Sequence, residues 1–182
     1  MEFCGGDVWR QMVHEMIMPA ALVGVDLGDD IIEIGPGPGF TTDILCQRVA
    51  RLTAVEIDQG LADALAVRFA GSNVEVVPGD ATALDLPDGR FSGGASFNML
   101  HHIPTVEQQQ QTFAELARVL APGAMLVASD AGFQEATLAF HEGDVYNPIE
   151  ADSLPERLQE AGFTAVAVRQ YDLGWICTAR AA

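Results

Sequence analysis

The chain has 182 residues, 49% of them apolar, with 26 acidic against 9 basic side chains and a formal charge of −17. That length fits one domain with a continuous core, and no apolar run is long enough to span a bilayer. There is no lysine and no pair of adjacent arginines, which argues against binding a nucleic-acid backbone, because that needs clustered basic groups.

The first residues, Met1-Glu2-Phe3-Cys4-Gly5-Gly6-Asp7, lack the basic start and apolar core of a signal peptide, so a cytoplasmic location is expected. Three cysteines at unrelated spacings read as reduced thiols rather than a disulfide frame or a zinc site. Val8, Trp9, Met12, Val13, Met16 and Ile17 recur at helical spacing over residues 8–18, and Pro19 ends the segment. This predicts an amphipathic helix, packed on a sheet or covering a ligand pocket, with His14 and Glu15 as its polar candidates.

Ile31, Ile32 and Ile34 predict a short strand, apolar on both faces as a central parallel strand requires. Gly35, Gly37 and Gly39 follow, three positions without Cβ atoms at which the backbone can turn sharply and a ligand can lie against the main chain. After Phe40 the chain becomes helical, with Thr41 or Thr42 able to cap and Asp43 in the first turn. A P-loop would need a lysine after Gly39, where Phe40 stands. The dinucleotide fingerprint begun at Gly35 would need a glycine at Phe40, and begun at Gly37 it would need one at Thr42. Both classes are excluded.

A second strand is predicted over Leu52–Asp58. Glu56 lies 19 positions after Gly37, where a parallel βαβ unit brings the end of its second strand beside the glycine loop, and a carboxylate there can accept both hydroxyls of a ribose. Asp58 caps the next helix, in which Leu61, Leu65 and Phe69 recur until Gly71. Val74–Val77 predicts the third strand, followed by Pro78-Gly79-Asp80-Ala81, and a fourth runs through Gly94–Phe97, its start obscured by Ser92-Gly93-Gly94. Asn98-Met99-Leu100-His101-His102-Ile103 then falls at the C-terminal end of strand four.

Thr105 to Gln108 reads as a capping box, Phe113, Leu116, Ala117 and Leu120 as a buried helical face, and glutamines 108–111 as a solvated one. Pro122-Gly123 breaks that helix ahead of strand five, Ala124–Ala128. Residues 130–149 have no scaffold periodicity and are too apolar for a solvated linker, so a functional segment is expected there. Ser153 caps a helix ending at Gly162, and the strands near Thr164–Val168 and Trp175–Thr178 have a connection too short for a parallel crossover, which predicts an antiparallel hairpin.

Glu33-Ile34-Gly35-Pro36-Gly37-Pro38-Gly39 has the pattern E-x-G-x-G-x-G. Together with Glu56, Gly79-Asp80-Ala81 and Asn98 to His102, it resembles the class I S-adenosylmethionine-dependent methyltransferases of the small-molecule, type 11-like kind, over about residues 28–180. The resemblance implies an α/β fold, a doubly wound, seven-stranded, mostly parallel sheet with a C-terminal antiparallel hairpin. One domain over 1–182 would comprise an N-terminal helix or lid, 1–24, and a Rossmann-like core, 25–182. It further implies S-adenosylmethionine as cofactor, S-adenosylhomocysteine as product and a small-molecule acceptor, while the charge, the apolar runs and the cysteine spacing lead us to expect no nucleic acid, membrane or metal.

The same resemblance places Glu33, Gly35, Pro36, Gly37, Gly39, Glu56, Ile57, Asp80, Ala81 and Asn98 at the cofactor, with Asp80 on the adenine amino group and the Ala81 amide on a ring nitrogen. His102, ahead of His101, is the catalytic candidate for an acceptor that must lose a proton. His14, His141 and Tyr146 are the candidate acceptor contacts. The first two motifs also resemble ribosomal RNA adenine dimethyltransferases, but those carry an Asn-x-Pro-Tyr type motif after strand four, where Asn98 is here followed by Met99, Leu100 and His101. A nonenzymatic S-adenosylmethionine-binding protein is the remaining alternative.

Overall fold

A computed structural model describes residues 6–133, 144–172 and 174–182. Seven strands form one sheet in the order β3-β2-β1-β4-β5-β7-β6. They are β1 (Asp30–Ile34), β2 (Arg51–Glu56), β3 (Val74–Pro78), β4 (Phe91–Phe97), β5 (Leu120–Ala131), β6 (Phe163–Tyr171) and β7 (Gly174–Ala181). The first five are parallel, and β7 runs antiparallel to both β5 and β6. This is the expected doubly wound arrangement. β1 sits between β2 and β4, so the chain reverses direction across the sheet at β1, and in doubly wound sheets ligands bind beyond the C-terminal ends of the strands at such a reversal.

Both faces of the sheet are covered, which is why the β1 isoleucines are buried throughout. On one face Ile32, Ile34, Leu126 and Ala128 pack with Phe113 and Leu116 of α5 (Val106–Val119) and with Leu154 and Leu158 of α6 (Leu154–Glu160). On the other, Ile31, Ala95, Phe97 and Val127 meet Leu45 of α3 (Thr42–Leu45) and Val13 and Met18 of the N-terminal helix. Between β2 and β3 lies α4 (Gln59–Arg68), capped by the Asp58 carboxylate, which accepts the Leu61 amide at 2.9 Å.

Several local expectations are corrected. The N-terminal helix does not stop at Pro19: α1 (Asp7–Met12) continues through a π-helical turn, Val13–Ile17, into α2 (Met18–Ala21). The Met18 amide reaches back five residues to the Val13 carbonyl, and this wider turn accommodates the proline ring. The buried stripe is Val13, Met18, Ala21 and Leu22, while Val8 and Met16 are exposed.

β4 begins at Phe91, and Ser92-Gly93-Gly94 lie inside it. A Cβ on Gly93 would stand 2.4 Å from the Leu27 carbonyl oxygen, so the glycine is what lets the chain entering β1 cross this strand. Pro122-Gly123 likewise falls within β5, at a shift in register against β4, because α5 ends earlier, at Val119. Gln109 is buried rather than solvated: its Nε2 donates to the carbonyls of Leu100, at 3.0 Å, and Asn147, at 2.7 Å. Ser153 caps nothing, since its hydroxyl donates back to the Glu150 carbonyl at 2.7 Å.

Candidate active site

The glycine loop leaves the C-terminal end of β1 with Gly35, Gly37 and Gly39 all in the left-handed region, at φ of 66°, 54° and 82°. A Cβ on Gly35 would fall 2.1 Å from the Met99 Cγ, so the loop after β4 packs directly on this glycine. At Gly37 a Cβ would meet nothing within 4 Å, leaving that main chain open to approach. Pro36 is buried at the base of the turn. Arg68 of α4 donates to the Pro38 carbonyl at 2.7 Å and pairs with Asp43, fastening the loop from its far side.

Glu56 closes β2 beside this loop. Its Oε2 accepts the Gly37 amide at 3.0 Å and its Oε1 the Asp58 amide at 3.0 Å. The Gly79 amide donates to the Glu56 carbonyl at 2.9 Å, which brings the turn carrying Asp80 and Ala81 to the same end of the sheet. Asp80 Oδ1 accepts from both the amide and the hydroxyl of Thr82, each at 2.8 Å, an Asx-type turn that fixes the carboxylate. Ile57 is exposed beside Glu56. Sequence-predicted residues from three strands are thus gathered on one rim.

Glu33 differs from the rest of its motif. Only 1% exposed, it lies beneath the loop and accepts the hydroxyls of Thr41 and, at 2.7 Å, Thr42. The structure therefore makes it a tie between β1 and the start of α3, and the two threonines serve it rather than capping the helix. Burial pushes its pKa up to about 7, the threonine hydroxyls pull against that rise, and the nearby Asp43 and Glu56 charges add to it.

Asn98 directly follows β4, with a positive φ of 50°, and gives its amide to the Ser129 carbonyl at 2.8 Å. Its Nδ2 is buried without a hydrogen-bond partner among the described residues, as are the hydroxyls of Ser96 and Ser129. Polar atoms left unpaired at strand ends mark a place suited to a polar ligand.

The two histidines of the 3₁₀ turn Leu100–His102 have separate environments. His101, 4% exposed, receives the Asp130 carboxylate from β5 on both its backbone amide, at 3.0 Å, and its ring Nδ1. His102 is more exposed and its Nδ1 lies 3.3 Å from Asp144. The rings are 4.1 Å apart, and Tyr146 meets His101 edge-on at 5.7 Å while donating its hydroxyl to the Gly132 carbonyl at 2.9 Å. Tyr146 thus joins the cluster. His14 does not: it is exposed on the π-helical turn, with no contact to these groups among the described residues. His141 lies outside the described residues.

Asp130, Gln109 and the Glu33–Thr41–Thr42 tie were not singled out from sequence. For Asp130 a signal existed, an acid closing an otherwise apolar strand. Among the described residues no helix is long and apolar enough to cross a membrane.

A family model described as a methyltransferase domain matches residues 32–128. A curated relative, ribosomal RNA small subunit methyltransferase A of Geobacter metallireducens, is 37% identical over 93 residues, 50% of this chain and 34% of its own length. The match thus spans between 22% and 34% of the length of curated relatives such as this one. Among solved structures, an S-adenosylmethionine-dependent methyltransferase from Aquifex aeolicus superposes with a TM-score of 0.78 at 17% identity, covering 100% of this chain and 96% of the other. The Burkholderia thailandensis 1,6-didemethyltoxoflavin-N1-methyltransferase, with S-adenosylhomocysteine bound, gives 0.75 at 22% identity over 97% and 81%. These similarities match the architecture found here.

Proposed function

This chain belongs to the methyltransferase-domain family, and we propose that it transfers a methyl group from S-adenosylmethionine to a small-molecule acceptor by in-line displacement, releasing S-adenosylhomocysteine. The observation that carries this reading is the Glu56 carboxylate held at the Gly37 amide. It sets an acceptor for ribose hydroxyls against a glycine whose main chain is open to approach. Gly35, Pro36, Gly37 and Gly39 shape the bed, Ile57 offers an apolar edge, and the fixed Asp80 with the Ala81 amide suits an adenine ring. Asn98, with its unpaired Nδ2, faces the requirement for a polar contact near the reacting end.

When bound, the cofactor supplies a methyl group already activated on a sulfonium. The protein's part is to align donor and acceptor and keep water out. The burial of His101, with the half-buried Tyr146 edge-on against it, favours that exclusion, and thiols at Cys46 and Cys177 outside any disulfide are in keeping with a cytoplasmic setting.

A second reading, ribosomal RNA as acceptor, is favoured by the names of the curated relatives. Against it stand the charge of −17 and the absence of a proline or aromatic directly after Asn98-Met99. Calorimetry with S-adenosylhomocysteine and NAD, followed by a labelled-methyl screen across metabolite classes and small-subunit ribosomal RNA, tests the reading. Binding of the first ligand only, with label on a metabolite, is expected. NAD binding alone, or retention of cofactor with no product, would replace it with another cofactor class or a nonenzymatic binder.

A further inference from the structure

Glu33 is an acid where the strand would otherwise be apolar. Its neighbours in β1 are Ile32 and Ile34, and its register partners on β2 and β4 are Ala54 and Ala95. The carboxylate is 1% exposed, with one oxygen on the Thr41 hydroxyl and the other on the Thr42 hydroxyl, at 2.7 Å. Two residues further on, at Gly35, the chain enters the loop proposed as the cofactor bed, and the two threonines stand where that loop becomes α3. Enclosed on the protein side of the bed, Glu33 acts on a ligand through its charge.

We infer that Glu33 distinguishes the methyl donor from the demethylated product by charge: it releases a proton when a cationic sulfonium occupies the bed and keeps that proton when a neutral thioether does, so that the donor is preferred. The inference rests on the methyltransferase reading above. Donor and product share the nucleoside and the amino-acid end, and differ at sulfur by one methyl group and one positive charge. Water screens such a charge strongly, whereas a carboxylate buried in a low-dielectric interior feels it well beyond contact distance. An ionised Glu33 therefore favours the sulfonium, and a protonated one has no such preference. The proton leaves to solvent as the donor binds; once transfer has left the sulfur neutral, Glu33 recovers a proton from water.

The group is poised for this exchange. Burial pushes its pKa up to about 7 against the pull of the threonine hydroxyls, and the Asp43 and Glu56 charges add to the rise. The charged and titratable groups facing it among the described residues are Asp43 on α3, Arg68 on α4 through its pair with Asp43, Glu56 at the end of β2, and the Cys46 thiol after α3. A positive ligand charge lowers the Glu33 pKa, so donor affinity rises with pH and levels off above about 7. Protonation also reverses a hydrogen bond: the carboxyl O–H donates, and the threonine hydroxyl facing it must turn to accept.

Calorimetry with S-adenosylmethionine and S-adenosylhomocysteine, in buffers of different ionisation enthalpy and from mildly acid to mildly alkaline pH, tests the inference. Donor binding should release a proton near neutral pH, and the ratio of donor to product affinity should fall by up to about tenfold for each pH unit below neutrality. Taking the ratio cancels every group that responds to both ligands alike. Glu33→Gln should abolish the extra proton release and make the ratio constant with pH. Thr42→Val removes a donor to the carboxylate and should move the profile to higher pH. A wild-type ratio indifferent to pH, a pH-dependent ratio that survives in Glu33→Gln, a profile unmoved in Thr42→Val, or equal proton release with both ligands each overturns the proposal. Should Glu33→Gln fail to fold, infrared difference spectra of the wild-type protein labelled with carbon-13 glutamate decide. A protonated carboxyl band must vanish with the donor and persist with the product; the same response to both overturns the proposal. Failure of the wild-type protein to bind either ligand overturns the underlying methyltransferase reading instead.

Discussion

Glu56 and Gly37 are joined by a 3.0 Å hydrogen bond from the glycine amide to the carboxylate, so the end of β2 and the turn after β1 form one unit. The same carboxylate accepts the Asp58 amide on its other oxygen. Each oxygen keeps acceptor capacity for a further donor, since a carboxylate offers about four lone-pair sites.

Replacing Glu56 by alanine should therefore weaken S-adenosylhomocysteine binding by about 1–3 kcal/mol, through lost ribose acceptors and a loosened Gly37. Asp58→Ala removes the cap on α4 and should cost about 1 kcal/mol of stability with little change in affinity. Calorimetry and denaturant unfolding of both variants separate the effects; equal affinity losses would misplace the ribose acceptor.

Glu33 makes stability pH-dependent. With its pKa raised from 4.5 to about 7 in the folded state, the native protein holds a proton there that the unfolded chain has released. Its contribution is fully present below pH 4.5 and is lost as pH rises through about 7. The whole span corresponds to about 3 kcal/mol. Glu33→Gln should flatten this part of the curve, as read from unfolding midpoints between acid and mildly alkaline pH, and an unchanged slope would assign the dependence to other groups.

Gly35 and Gly37 should respond differently to alanine. Both have positive φ, so each variant carries about 1–2 kcal/mol of backbone strain. Only at Gly35 does the new methyl also collide with Met99. Gly35→Ala should lower the melting temperature more, whereas Gly37→Ala should lose cofactor affinity in a fold that remains near normal. Thermal melts with and without S-adenosylhomocysteine read both quantities.

Gln109→Leu should destabilise the protein by about 1–3 kcal/mol, since it removes a donor from two carbonyls, one of which, Leu100, still accepts the Ile103 amide at 3.1 Å. Those carbonyls belong to Leu100 and Asn147, so the loss falls on the stitch between the His101 turn and the segment carrying Tyr146. Hydrogen exchange at the Asn147 amide, which donates to the His101 carbonyl at 2.7 Å, should quicken in this variant and stay unchanged in Gln111→Leu.

Much of the scaffold was legible because it follows from local chemistry. Ile31, Ile32 and Ile34, the glycines behind them and the spacing to Glu56 declare a buried strand, a glycine-rich turn and the end of the neighbouring parallel strand, all within one βαβ unit. The Asp58 and Thr105 caps follow from side chains reaching amides three residues on. Even the terminal hairpin follows from a connection too short to cross over.

What the chain order does not carry is which side chains meet across elements. Asp130 reaches His101 over 29 positions, and Gln109 reaches Asn147 over 38. Gly93 reads as a weak spot in a strand until the Leu27 backbone is found lying on it. Periodicity states which face of an element is buried; register and the crossing of strands decide what it is buried against. So the glycine bed and its acid could be named from sequence, while the buried partner that distinguishes His101 from His102 emerged only once β4 and β5 were set side by side.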